Sequence, residues 1–251
     1  MRTARVVLCG DSLATSYGSG DGIVPYPTLV GDALGESNGR DRVVQSRARA
    51  GTTVHLSARS VESIVHMRPE VVVLAHGGGE CILAASGSVR RLLRLLGRAP
   101  RNNLLSPASI ASVRQPIVFG SSGRWMLTTF AGIRPVVAPS EFAVILEWTV
   151  RSLIQGSGVD VLLVVPCVLP SRRTYYDPKA LEANRASMTA LGSALSGVRT
   201  VDTAEVLTGP WAFGEDKCHF SQAGHAAVAG QLVEVLSTSD ASADPDGSDT
   251  E

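Results

Sequence analysis

The stretch Ala4-Arg-Val-Val-Leu-Cys9, running straight into Gly10-Asp11-Ser12-Leu13, decides the fold. A short β-branched and apolar run, stopped by a glycine and an acid, reads as a buried strand with an abrupt turn at its carboxyl end. Four more runs of this kind follow, at Arg42 to Gln45, Glu70 to Ala75, Val159 to Val165 and Val198 to Val201. Apolar residues at helical spacing occupy Val24 to Leu34, Val54 to His66, Glu141 to Gln155, Pro178 to Leu195 and Ser221 to Leu236. This alternation predicts an α/β fold whose parallel sheet is covered by helices on both faces. In the last helix Ser221 is the expected cap, and Ala226, Ala227, Ala229, Leu232, Val233 and Leu236 are the expected inward stripe.

At 251 residues, with 44% hydrophobic and 18% charged, the chain has enough apolar material for one core without disulfide or metal staples. Residues 1–236 read as a single domain. Within it, 84–139 is rich in Ser, Gly, Pro and Arg and reads as an insertion or lid, with a helix at Val89 to Leu96 and the aromatics Phe119, Trp125 and Phe130. Residues 237–251 have little to bury and five acids, and are expected to form a disordered acidic tail.

The 23 basic and 23 acidic residues cancel over the whole chain, so the body without its tail is only mildly basic. That charge does not suggest a nucleic-acid partner. The four apolar residues between Arg5 and Gly10 are shorter than a secretory h-region or a membrane span, so no membrane span and a cytoplasmic location are expected. Cys9, Cys81, Cys167 and Cys218 form no Cys-x-x-Cys pair and read as reduced packing residues. Neither a metal nor a cofactor is expected. The Gly18-x-Gly20-x-Gly22 run lacks the context of a nucleotide fingerprint.

A serine at the carboxyl end of the first strand faces the crevice where open α/β sheets bind ligands. Ser12 needs an imidazole to activate it, and the imidazole needs an orienting carboxylate. Asp216-Lys-Cys-His219, just before the last helix, supplies both on one turn. The plain alternatives are a strand-to-helix cap for Gly-Asp-Ser and a surface loop for Asp-x-x-His.

Gly10-Asp11-Ser12-Leu13 near one end and Asp216-x-x-His219 near the other resemble the SGNH, or GDSL-type, hydrolases. Tyr17-Gly18, Tyr26-Pro27, Ala50-Gly51-Thr52-Thr53 and Gly224-His225 extend the resemblance over most of the chain outside the insertion and tail. The resemblance implies a flavodoxin-like three-layer sandwich with strand order 2-1-3-4-5 and metal-free acyl-ester chemistry. It also implies Ser12 as nucleophile, His219 as base and Asp216 as orienter. An oxyanion hole would come from the Ser12 and Gly51 amides and from an asparagine in a Gly-x-Asn-Asp motif. Here that third block reads His76-Gly77-Gly78-Gly79-Glu80, with Gly79 at the asparagine position. The Gly78 or Gly79 main chain is a candidate replacement donor. Asp11, His76, Gly78 and Glu80 form a possible additional site, with a packed imidazole and a helix-end carboxylate as the plain alternatives for His76 and Glu80. Asn102 and Asn103 are further candidates from the insertion. His55 and His66 lie at opposite ends of a surface helix with no partner pattern, and neither they nor His225 carry assigned chemistry.

Three functions follow from this reading. The first is a serine esterase or acylhydrolase acting on a small-molecule acyl ester or thioester. The second is an acyltransferase or cyclase using the same acyl-Ser12. The third is a non-catalytic relative that binds a ligand in the cleft. Restoring the amide as Gly79→Asn is expected to raise hydrolysis if its loss suppresses it.

Overall fold

Val6, Val7, Leu8 and Cys9 are all buried, with Val6 and Leu8 in one apolar cluster and Val7 and Cys9 in the other. A strand wetted on neither face must lie inside a sheet with helices on both sides. The computed structural model describes residues 5–17, 22–37, 43–84, 134–167, 176–214 and 218–241. Strands β1 (Arg5–Gly10), β2 (Val43–Ser46), β3 (Val71–Ala75), β4 (Asp160–Val165) and β5 (Val198–Asp202) form one parallel sheet in the order 2-1-3-4-5. Each predicted strand agrees with its observed counterpart to within about one residue at either end.

Helices α1 (Tyr26–Ser37) and α5 (Gln222–Ala241) pack together on one face. Helices α2 (Val54–His66), α3 (Pro139–Ser157) and α4 (Pro178–Ala194) cover the other. The order reverses at β1, whose chain leaves toward β2 while β3 flanks it on the opposite side. The crevice above the carboxyl ends of β1 and β3 is therefore the topological switch point.

Three expectations need correction. Helix α5 runs to Ala241, so residues 237–241 of the expected tail are helical. Thr238 Oγ1 donates to the Val235 carbonyl at 3.0 Å within this extension, and adding residues to an established helix costs little. The buried stripe of α5 is His225, Val228, Ala229, Leu232 and Leu236, whereas Ala226 is exposed. His55 has a partner: its Nε2 lies 3.1 Å from Glu141 Oε1 at the start of α3, and its Nδ1 lies 3.2 Å from Thr53 Oγ1.

The expected helix at Val89 to Leu96, the insertion's aromatics, Asn102 and Asn103 lie outside the described residues, as do 242–251. The two ends of the insertion are described and meet. Leu83–Ala84 pairs antiparallel with Arg134–Pro135, and the Val137 amide donates to the Glu80 carbonyl at 3.2 Å. The insertion therefore leaves and re-enters the fold beside the third-block turn. No helix among the described residues is long and apolar enough to cross a membrane.

Candidate active site

Gly10 ends β1 where a Cβ would stand 2.8 Å from Ala14 Cβ and 3.0 Å from the Ala75 carbonyl oxygen. Only glycine lets the chain turn there against β3. The turn is a 3₁₀ helix, Ser12–Ala14, whose first amides are capped locally: Asp11 Oδ1 accepts the Leu13 amide at 2.9 Å. Ser12, 6% exposed, thus sits at the carboxyl end of a central strand on a fixed turn. The loop after β2 folds over the same point, because the Gly10 carbonyl accepts from the Arg49 amide at 3.1 Å and from Thr52 Oγ1 at 3.2 Å. That loop carries Gly51 at φ +75°, a conformation glycine adopts without strain.

His219, 8% exposed, lies in a narrow loop ahead of α5. Its carbonyl accepts the Gly214 amide at 2.8 Å, and Phe213 and Phe220 bridge on either side. Ser221 then caps α5 as expected: its Oγ accepts the Gly224 amide at 3.1 Å and donates to the Trp211 carbonyl at 2.7 Å. The His219 ring meets Tyr17 edge-on, with centroids 5.6 Å apart at 76°. Ser12 and Tyr17 belong to one short segment, which brings the candidate nucleophile and base to the same end of the sheet. Asp216 lies outside the described residues.

The third-block turn differs from a bare glycine loop. Gly79 donates its amide to Asp11 Oδ2 at 2.7 Å, so this amide is already engaged with a protein carboxylate. No hydrogen bond from the Ser12, Gly51 or Gly78 amide occurs among the described residues. Gly77, at φ +105°, donates to Glu80 Oε2 at 2.7 Å. Glu80 Oε1 reaches across to the Val54 amide at 2.6 Å and caps α2. The expected role of Glu80 at a helix N-terminus therefore holds, but the helix is α2, not the turn on which Glu80 itself sits.

Asp11, His76 and Glu80 are buried together, each offering a ligand-type atom within 4.8 Å of the others. Every oxygen of the two carboxylates accepts a main-chain N–H. Burial, then the charge of Glu80, pushes the Asp11 carboxyl up to about 6, against the opposing His76 charge and two amide bonds. Burial also raises Glu80, against its amide bonds. Burial lowers His76 to about 4, so the ring is neutral near pH 7 despite Asp11 beside it.

The chain matches the family model of the GDSL-like lipase/acylhydrolases over residues 8–227. The chain belongs to that family. The GDSL-like fold recurs in solved structures. A lipase/acylhydrolase from Enterococcus faecalis is 16% identical with a TM-score of 0.62, covering 94% of this chain and 97% of that one. A family 3 carbohydrate esterase from Clostridium thermocellum is 15% identical, TM-score 0.57, over 96% and 100% of the two chains. The C-terminal catalytic domain of a Streptococcus pneumoniae peptidoglycan O-acetyltransferase is 15% identical, TM-score 0.52, over 95% and 96%. No curated protein matches the chain.

Within this GDSL-like enzyme, Ser57 carries no signal in the sequence, and His225 carries one only as part of the Gly224-His225 resemblance. Ser57 Oγ lies 2.7 Å from His76 Nε2, a contact between a helix and a strand end 19 positions apart. His225 is fully buried, and its Nδ1 accepts the Tyr26 amide at 3.3 Å, capping α1 from α5. Burial, then the charge of His219, lowers His225 to about 4. Cys218 faces the Tyr176 hydroxyl at 2.8 Å, and Cys81 donates to the Gly77 carbonyl at 3.0 Å, which fits packing roles for both thiols.

Proposed function

We propose that the chain is a serine-dependent esterase or acylhydrolase that works through an acyl-Ser12 intermediate on a small acyl ester or thioester. The observation that carries this reading is the placement of Ser12 on a capped turn at the carboxyl end of β1, with His219 held at the same end of the sheet. Ser12 Oγ attacks the acyl carbonyl while His219 takes its proton and returns it to the leaving group. Water, activated by the same imidazole, then releases the acid. Asp216 orients the ring and stabilises the imidazolium.

The amides of Ser12, Gly51 and Gly78 are the donors this reading assigns to the oxyanion. Gly79 brings no side-chain donor, and its amide is held by Asp11. Losing one such donor costs about 10²–10³ in rate, so hydrolysis is expected to be slow for its class. The second reading, in which acyl-Ser12 passes to an amine or alcohol acceptor more nucleophilic than water, meets the same deficit. The acyltransferase or cyclase shares every residue with the hydrolase.

The test is labelling with a fluorophosphonate followed by peptide mapping, with Ser12→Ala as control. An adduct on Ser12 and loss of para-nitrophenyl acetate turnover in Ser12→Ala are expected. Turnover unchanged in Ser12→Ala overturns both readings, and a transferred-acyl product that outweighs the free acid when a dilute alcohol or amine acceptor is added in water selects transfer over hydrolysis.

A further inference from the structure

A cavity of about 320 Å³ opens between the loop after β2 and the first turns of α2. Ser57 lines it together with Cys9, Ser60, Arg47 and Arg49. Ser57 is only 2% exposed. Behind it His76 Nε2 stands at 2.7 Å, and His76 Nδ1 faces Glu80 Oε1 at 3.6 Å.

We propose that Ser57, His76 and Glu80 form a second Ser–His–acid relay, and that the cavity presents Ser57 to small acyl donors carrying a negative charge. The geometry has the order a nucleophilic serine requires: hydroxyl, imidazole, carboxylate. His76 Nδ1 is buried and has no hydrogen-bond partner among the described residues, and it faces a carboxylate fixed by the Val54 and Gly77 amides. That environment favours the tautomer with the proton on Nδ1, which leaves Nε2 as the acceptor for the serine proton. The 3.6 Å separation is too long for a hydrogen bond in the resting site, and such contacts tighten when the ring becomes cationic.

The charge preference comes from the two arginines. Neither Arg47 nor Arg49 pairs with a carboxylate among the described residues, and Arg47 Nη1 instead donates to Ser63 Oγ at 2.8 Å. Two arginines that line one cavity and have no carboxylate partner among the described residues favour a donor that carries a carboxylate or phosphate. In the reaction, Ser57 Oγ forms a bond to the acyl carbon and its proton moves to His76 Nε2. The bond from the acyl carbon to the leaving oxygen breaks, and that oxygen keeps the electron pair and takes the proton from Nε2. An ester on Ser57 remains, and Glu80 stays ionised throughout, paired with the transient imidazolium.

This inference does not rest on the reading of Ser12, and one experiment separates them. The wild-type protein is treated with diisopropyl fluorophosphate and digested with trypsin, which places Ser12 in the peptide from Val6 to Arg40 and Ser57 in that from Ala50 to Arg59. Fragmentation assigns the adduct within each peptide. The expected result is an adduct on Ser57, slowed by succinate, and a Ser57 acylation by mono-para-nitrophenyl succinate about tenfold or more faster than by para-nitrophenyl butyrate. His76→Gln, checked for folding by circular dichroism, should slow the Ser57 adduct by about a hundredfold or more. An unmodified Ser57 in the wild-type protein, or labelling undiminished in folded His76→Gln, overturns the relay. If that variant does not fold, the wild-type labelling decides alone. Equal acylation by the two esters overturns the charge preference, and an unlabelled Ser12 peptide counts only against the Ser12 reading.

Discussion

The Asp11 carboxylate accepts the Gly79 amide at 2.7 Å, and that bond ties the turn after β1 to the turn after β3. Its other oxygen holds the Leu13 amide, so one buried acid fixes both the segment carrying Ser12 and the glycine run that replaces the usual asparagine block. The two turns are therefore joined through one carboxylate. A change at Gly79 is felt at Ser12 through Asp11, not through open space.

Gly79→Asn follows from this directly. A Cβ at Gly79 would stand 2.9 Å from Asp11 Oδ2 and 3.3 Å from Asp11 Cβ, so the new side chain has to displace a carboxylate anchored by two amides. The substitution that the sequence alone expects to raise hydrolysis is instead expected to lower stability by about 1–3 kcal/mol, with no gain in rate. Thermal melting and ester turnover of the variant check both parts. An unchanged Tm with faster hydrolysis would show that the Asp11 carboxylate yields freely.

Gly224 is a second position where the backbone leaves no room. A Cβ there would collide with the Ala212 carbonyl oxygen, and that carbonyl also accepts the Ser221 amide at 3.0 Å. Gly224→Ala is expected to cost ~3 kcal/mol, a fall in Tm of about 6–12 °C, and to reduce turnover because the same contact seats the His219 loop. Differential scanning calorimetry with an activity assay below the new midpoint tests it.

The central strands β1, β3 and β4 are legible because each is an aliphatic run buried on both faces, whereas the edge strands β2 and β5 are partly exposed and read only as short β-branched runs. Gly10-Asp11-Ser12 reads equally as a strand-to-helix cap and gains its meaning only beside Asp216-x-x-His219. What stayed hidden are contacts between distant elements. Nothing around Ser57 distinguishes it from any other helical serine until α2 is laid against the end of β3. Nothing in the glycine run tells that the Gly79 amide belongs to Asp11, 68 positions away. The stripe on α5 was misjudged at Ala226 because alanine is compatible with either face of a helix, and burial there follows from how α1 and the Ala212 turn pack against α5.

His225 sets part of the acid sensitivity. Its pKa is about 4 in the folded protein against an ordinary 6.5, so between those values the unfolded chain binds the proton more readily. The stability contributed by the neutral ring is present above pH 6.5 and is lost as pH falls toward 4. His76 acts in the same direction, while Asp11, raised to about 6, acts in the opposite one. His225→Asn keeps an acceptor for the Tyr26 amide without the titration. Urea midpoints measured from pH 7 to pH 4 are expected to fall less steeply in the variant than in the wild type, and parallel profiles would remove His225 from the account.

On the proposed mechanism, Tyr17 positions His219. Its ring meets the imidazole edge-on at 5.6 Å, yet Tyr17 is 60% exposed, so it contributes little to the core. Edge-to-face aromatic contacts are worth about 0.5–1.5 kcal/mol, which corresponds to a two- to tenfold effect if the contact orients the base in the transition state. Tyr17→Ala is expected to lower kcat by about that factor at unchanged Tm, and Tyr17→Phe to restore it, because the contact uses the ring and not the hydroxyl. A change confined to KM that Tyr17→Phe fails to rescue would place the phenol against substrate instead, and would move Tyr17 from positioning the base to binding the acyl donor.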